Sequence, residues 1–199
     1  MEQSLTLTIT DNIWRIAIGD SLPECKQTWI DQGFNVNHYE AITPDTMPNF
    51  LKFGQKNMRM YTKKTAAFTQ VEKAIFYSHF MLWRMCFKSQ KPIVVIEHDT
   101  QLVNQFPTTW DVRRIKYFCV GHRALKRDGG YDTKYSPAAG YVLTPQGAEA
   151  LIAYTKRSTI IYNVDHYIRI LRDKDSPSWA VRYAEQKERD HDRESMHIK

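Results

Sequence analysis

Glycine and proline are sparse in this chain, at 8 each in 199 residues, and cysteine is sparser still, at 3. So little glycine and proline excludes a collagen-like repeat and a low-complexity linker protein. Cys25, Cys86 and Cys119 are too few and too far apart to staple a miniature fold or to form a zinc pattern. An odd, scattered set of thiols is what a reducing compartment allows. No apolar run approaches the ~20 residues needed to cross a bilayer, so no transmembrane segment is expected. The opening Met1-Glu2-Gln3-Ser4 lacks the basic start of a secretory leader, and a cytoplasmic location is expected. What remains is a globular composition, 42% hydrophobic and 25% charged, which excludes a disordered chain and supplies a sizeable core. One domain over residues 1–186 is expected, followed by a polar tail over 187–199.

The net charge is +6, and its distribution says more than its size. Between Lys52 and Lys73 stand Lys52, Lys56, Arg59, Lys63, Lys64 and Lys73 against one acid, Glu72. Between Arg113 and Lys134 stand Arg113, Arg114, Lys116, Arg123, Lys126, Arg127 and Lys134 against Asp128 and Asp132. Two such blocks point to an anionic partner: a nucleotide phosphate, a nucleic acid or an acidic surface. For any single Lys or Arg, a solvated surface is the plainer reading.

The pattern along the chain alternates strands with helices. Trp14 to Ile18 reads as a strand, followed by a helix to about Gln32. In that helix Ser21 is placed as cap, with Pro23 in the first turn and Glu24 completing a capping box. Gly33 stops it, and Phe34 to Ile42 returns as a strand. Pro48 to Thr65 is basic, aromatic and aperiodic, hence a loop. From Thr69 a long helix follows, with one face predicted to be Val71, Ile75, Ser78, Leu82 and Met85, and an adjacent one Phe76, His79, Trp83 and Phe87. Pro92 to Ile96 is a short β-branched run, as in a strand buried on both faces. Ile115 to Val120 and Tyr141 to Leu143 are further strands. Thr144 and Pro145 open a helix to about Lys156. Val164 to Leu171 reads as another helix and Trp179 to Ala184 as a last strand. This alternation predicts an α/β layer architecture.

Glu97-His98-Asp99 closes the buried strand. In extended backbone alternate side chains share a face, so Glu97 and Asp99 are expected to converge at the carboxyl edge of the sheet, where α/β folds place ligands. Two such carboxylates suit a divalent cation bridging a diphosphate, Mg²⁺ typically taking one or two carboxylates plus substrate phosphates. Lys63, Lys64 and Arg123 then neutralise the remaining phosphate charge. An acidic triplet after a strand is equally a turn or a helix cap.

Ala74-Ile75-Phe76-Tyr77-Ser78-His79-Phe80-Met81-Leu82-Trp83, followed by Ile93-Val94-Val95-Ile96-Glu97-His98-Asp99, resembles glycosyltransferase family 25, which includes lipooligosaccharide and collagen hydroxylysine galactosyltransferases. Members show a helix with Ser-His-x-x-x-Trp and an apolar strand closing in Glu-Asp-Asp; here His98 replaces the middle acid. Ala139-Gly140-Tyr141-Val142-Leu143 through Ala148 resembles a later family stretch, Val164-Asp165-His166-Tyr167 its Val-Asp-x-Tyr, and Ala41-Ile42-Thr43 its early Ala-Ile-Asp. The resemblance implies a single αβα, GT-A-like nucleotide-sugar domain with a mixed, mostly parallel sheet. It also implies Mn²⁺ or Mg²⁺ on Asp99 with Glu97 assisting, a UDP-sugar donor and inverting transfer to an acceptor hydroxyl.

Under that resemblance Asp165 is the expected base that deprotonates the acceptor, with His166 as substitute; a helix cap is the plainer role for Asp165, although Asn163 also caps. Glu97, Thr43, Lys63, Lys64, Glu72 and His79 are expected on the donor side. His79 and Glu72, seven apart, share a helix face; a buried histidine satisfied by a carbonyl or by Glu72 is the alternative. Arg123, Lys126 and Arg127 are expected to contact phosphate or the acceptor. That acceptor is a saccharide of lipooligosaccharide type or a hydroxymethylated base in phage DNA, so the setting is a bacterial or phage-infected cell. The competing functions are a non-catalytic basic nucleic-acid-binding protein and a metal-dependent phosphoester hydrolase.

Overall fold

The computed structural model describes residues 6–8, 12–47, 69–111, 117–119, 121–122, 138–157, 164–170 and 184–186. The basic loop 48–65 and the polar tail lie outside the described residues. So do the charged side chains of the second basic block.

The main sheet has five strands: β2 (Ile13–Ala17), β3 (Val36–Glu40), β4 (Ile93–Glu97), β7 (Tyr117–Cys119) and β9 (Gly140–Leu143), in the order β3-β2-β4-β9-β7. β2 pairs parallel with β3 and β4, and β9 pairs antiparallel with β4 and β7. Four strands therefore run one way and β9 alone opposes them. This is the expected mixed, mostly parallel sheet.

Helices cover both faces, α1 (Pro23–Ile30) on one and α2 (Gln70–Ser89), α3 (Pro145–Arg157) and α4 (Val164–Ile170) on the other. Strand alternation decides which residues meet which layer. Ile13, Val94, Ile96 and Val142 pack with Trp29 of α1. Ile16, Val95, Tyr141 and Leu143 pack with Leu82 and Trp83 of α2, Leu151 of α3 and Tyr167 of α4. Smaller pairings flank the sheet: β1 (Thr6–Thr8) with β6 (Thr109–Asp111), and β10 (Ala184–Gln186) with β5 (Thr100–Leu102) and β8 (Gly121–His122). Cys25 and Cys86 are buried free thiols, and burial pushes that of Cys86 up to about 12.

Three local expectations are corrected. Ser21 is not the cap of α1: Leu22 holds that position in the left-handed region, at φ 49°, and no side chain caps the helix. The carbonyls of Ser21 and Leu22 are instead turned toward the Arg15 guanidinium. The buried face of α2 is Ala74, Phe76, Tyr77, Ser78, His79, Leu82, Trp83 and Cys86, while Val71 and Ile75 are exposed. The last strand runs on through Ala184–Gln186, where the expectation ended it at Ala184, because β5 and β8 offer it pairing edges; residues 179–183 lie outside the described residues.

α2 opens with a capping box. Thr69 Oγ1 accepts the Glu72 N–H at 3.1 Å, and Glu72 Oε2 accepts the Thr69 N–H at 2.8 Å. Thr69→Ala is expected to cost about 1 kcal/mol, measured as a lower urea midpoint at unchanged slope.

Candidate functional site

The chain runs from β2 outward to β3, then returns past β2 to β4. The winding direction reverses between β2 and β4, and open α/β sheets bind ligands outside the carboxyl ends of their strands at such a reversal. Three turns leave the sheet at this edge: Ile18-Gly19-Asp20, Ala41-Ile42-Thr43 and His98-Asp99. The antiparallel β9 enters there through Ala138-Ala139.

Hydrogen bonds from sequence-distant residues tie the edge together. Ser78 Oγ accepts the Ile42 N–H at 2.9 Å, so α2 holds the turn after β3. Ala139 O accepts the Glu97 N–H at 2.9 Å and the Thr100 hydroxyl at 2.6 Å. One residue earlier, the Ala138 N–H donates to Asp165 Oδ1 at 3.0 Å. Glu97 and Asp165, 68 positions apart in the numbering, are thus held by adjacent residues of one segment. Asp165 is the second residue of α4 rather than its cap, and it is half-buried.

The two acids of the strand end do not behave as a pair. β4 ends at Glu97, and His98-Asp99 form a turn, so the alternation of extended backbone does not reach Asp99. Glu97 is 19% exposed and its Oε1 lies 3.5 Å from His79 Nε2, on the α2 side. Asp99 is 1% exposed, and its charge acts on Arg15, whose neighbours in β2 place it on the α1 side.

Arg15 is the residue that composition and motif left unmarked. It is 1% exposed, and its Nη2 donates to the carbonyls of Ser21, of Leu22 at 3.0 Å and of His98 at 3.2 Å. One guanidinium thereby clasps the turn after β2 to the turn after β4. Burial lowers its pKa, opposed chiefly by Asp20 and, less, by Cys25, Glu24 and Asp99.

His79 is also buried. Its Nδ1 lies 2.9 Å from the Tyr141 hydroxyl, which accepts the Trp83 N–H at 2.9 Å. Burial holds the Tyr141 phenol well above its ordinary pKa, so it remains a donor. Tyr141 is the second residue without a signal of its own: a tyrosine in an apolar strand reads as core, and only its hydroxyl gives the Ser-His-x-x-x-Trp spacing a common partner.

Glu72 is two turns of helix from His79 and is engaged in the capping box, which accounts for its carboxylate. Thr43 lies at the sheet edge, its N–H and hydroxyl bonded to Thr46 Oγ1 at 2.9 and 3.1 Å. His166 belongs to α4, and its side chain lies outside the described residues. Lys63, Lys64, Arg123, Lys126 and Arg127 lie outside them as well.

A cation bridging a diphosphate asks for one or two protein carboxylates. Glu97, partly exposed at the edge, fits that requirement; Asp99, buried beside a guanidinium, fits it less well. Among the described residues no group of three or more His, Cys, Asp or Glu gathers to hold a metal.

The segment from α1 through β6, which includes Ser78, His79 and Glu97, coincides with a family match. Residues 24–116 match the model of glycosyltransferase family 25 (LPS biosynthesis protein). This segment is similar to glycosyltransferase family 25. It spans a little under half of the chain and ends before Tyr141 and Asp165. No curated protein matches the chain. Family 25 supports an enzyme that transfers a glycosyl group, in agreement with the motif resemblance and against a non-catalytic nucleic-acid-binding protein. Among the described residues no helix is long and apolar enough to cross a membrane.

Proposed function

We propose that the protein transfers a sugar from a nucleotide-sugar donor, a UDP-sugar, to a hydroxyl of a saccharide acceptor, with inversion. The observation that carries this reading is that the family match covers two of the three turns at the sheet reversal, Ala41-Ile42-Thr43 and His98-Asp99. The family description names LPS biosynthesis, which favours a saccharide over a modified DNA base as acceptor.

Inversion in one displacement needs a base for the acceptor hydroxyl and compensation for the charge growing on the leaving diphosphate. Asp165, half-buried and accepting the Ala138 N–H, is assigned as the base. Glu97 is assigned to the donor side. Glu97, at the partly exposed sheet edge, would hold Mn²⁺ or Mg²⁺, which would supply positive charge to the diphosphate, while the Asp99 expected beside it is buried on the other face. Lys63 and Lys64 are assigned to the donor phosphates and Arg123, Lys126 and Arg127 to the acceptor, on charge pattern alone. A cytoplasmic location belongs to the same reading.

A panel of nucleotide sugars, each tested with Mn²⁺ for thermal stabilisation, checks the donor without an acceptor, because binding to the folded form raises Tm by mass action. One UDP-sugar is expected to raise Tm, and EDTA to remove the rise. A panel that leaves Tm unmoved rejects the nucleotide-sugar reading, and a rise that persists in EDTA rejects the cation.

A further inference from the structure

Buried polar atoms need partners, and a neutral imidazole has one donor and one acceptor nitrogen to place. His79 is 1% exposed, so both nitrogens must be accounted for within the protein. Nδ1 faces the Tyr141 hydroxyl at 2.9 Å. That oxygen already accepts the Trp83 N–H at 2.9 Å, which turns the phenolic proton toward another acceptor, and Nδ1 is in place to take it. The proton of the ring is then on Nε2. Nε2 makes no hydrogen bond within ordinary limits among the described residues, and the group it faces is the Glu97 carboxylate, with Oε1 at 3.5 Å. A lone pair in that direction would repel the carboxylate, whereas an N–H attracts it. The two ends of the ring therefore call for the same tautomer.

We propose that His79 is a positioning residue: Trp83 and Tyr141 fix its tautomer so that an Nε2–H aims at Glu97 and sets that carboxylate at the sheet edge. The chain of contacts runs from Trp83 Nε1 to Tyr141 Oη, then across the ring from Nδ1 to Nε2, and on to Glu97 Oε1. Its members come from the middle of α2, from β9 and from the last residue of β4. The histidine of the Ser-His pair thus acts through Glu97 rather than on the donor, while its neighbour Ser78 holds the turn at Ile42. The inference about the ring stands on geometry alone; its consequence for turnover rests on the donor-side assignment of Glu97.

Long-range ¹H–¹⁵N spectra of histidine-labelled protein test the first part without any ligand. The expected result is a bare Nδ1 and a protonated Nε2 for His79, with Tyr141→Phe moving the Nδ1 resonance and Glu97→Gln moving Nε2–H. A ring protonated on Nδ1, or shifts insensitive to both variants, overturns the proposal. In a sugar-transfer assay, His79→Gln, which can present an amide N–H, is expected to keep turnover within roughly tenfold of the parent, and His79→Leu to lose about 100-fold. Equal losses in variants of equal Tm would overturn the positioning role. If no nucleotide sugar is turned over by the parent, the proposed function fails while the spectra still decide the tautomer.

Discussion

Asp165→Asn is expected to lower the turnover of sugar transfer by at least about 100-fold, the lower bound for removing a positioned general base. The substitution is well suited to the question because Asn retains a carbonyl oxygen. Asp165 Oδ1 accepts the Ala138 N–H at 3.0 Å, and the amide oxygen of Asn can take the same bond, so α4 stays attached to the sheet edge. What disappears is the capacity to accept a proton. Donor binding, measured calorimetrically with UDP and Mn²⁺, is accordingly expected to change by less than about threefold while turnover collapses. A rate close to the parent's removes Asp165 as the base. A parallel loss of binding and rate would instead make it a residue that shapes the pocket.

The second large effect is on stability. Arg15→Met is expected to destabilise the fold by more than about 2 kcal/mol, since a hydrogen bond to a charged group contributes roughly 1.5–3 kcal/mol and the partners left behind stay desolvated. Met fills part of the space but donates nothing to the carbonyls of Ser21, Leu22 and His98. It also removes the positive charge with which Asp20 chiefly and, less, Cys25, Glu24 and Asp99 interact. Urea unfolding reads the effect as a lower midpoint at constant slope. Arg15→Lys keeps the charge but not the planar fork, and an intermediate loss is expected of it. A loss below about 0.5 kcal/mol for Arg15→Met, the range of an ordinary surface change, would show that the clasp contributes little.

Much of the fold was legible because it depends on local chemistry. The β-branched run Ile93 to Ile96 could only be a doubly covered strand, and Thr144-Pro145 starts a helix wherever it occurs. The buried face of α2 was harder. Val71 and Ile75 fit the apolar period, yet which stripe faces inward is set by α3, α4 and the strands beneath. The cap of α1 was misread for a related reason: Ser21 suits a helix start, but the Arg15 guanidinium took the backbone of that turn. The place of Glu97 at the sheet edge was legible because it closes an apolar strand. The separation of Asp99 from it was not, because one turn residue suffices to end the alternation. Arg15 gave no signal, and Tyr141 was marked only as part of a motif stretch, because partners of the Arg15 guanidinium and the Tyr141 hydroxyl lie dozens of positions away.

The lone reversed strand has a consequence for the order of events during synthesis. β9 delivers Ala138 and Ala139 to the edge late in the chain, and α4 follows later still, so Glu97 and Asp165 acquire their shared anchor only after every other strand of the main sheet has emerged. Contacts of such long sequence separation form slowly and close to the end of folding. A nascent or truncated chain ending at residue 138 would lack β9, α3 and α4, and with them the anchor that Glu97 and Asp165 share.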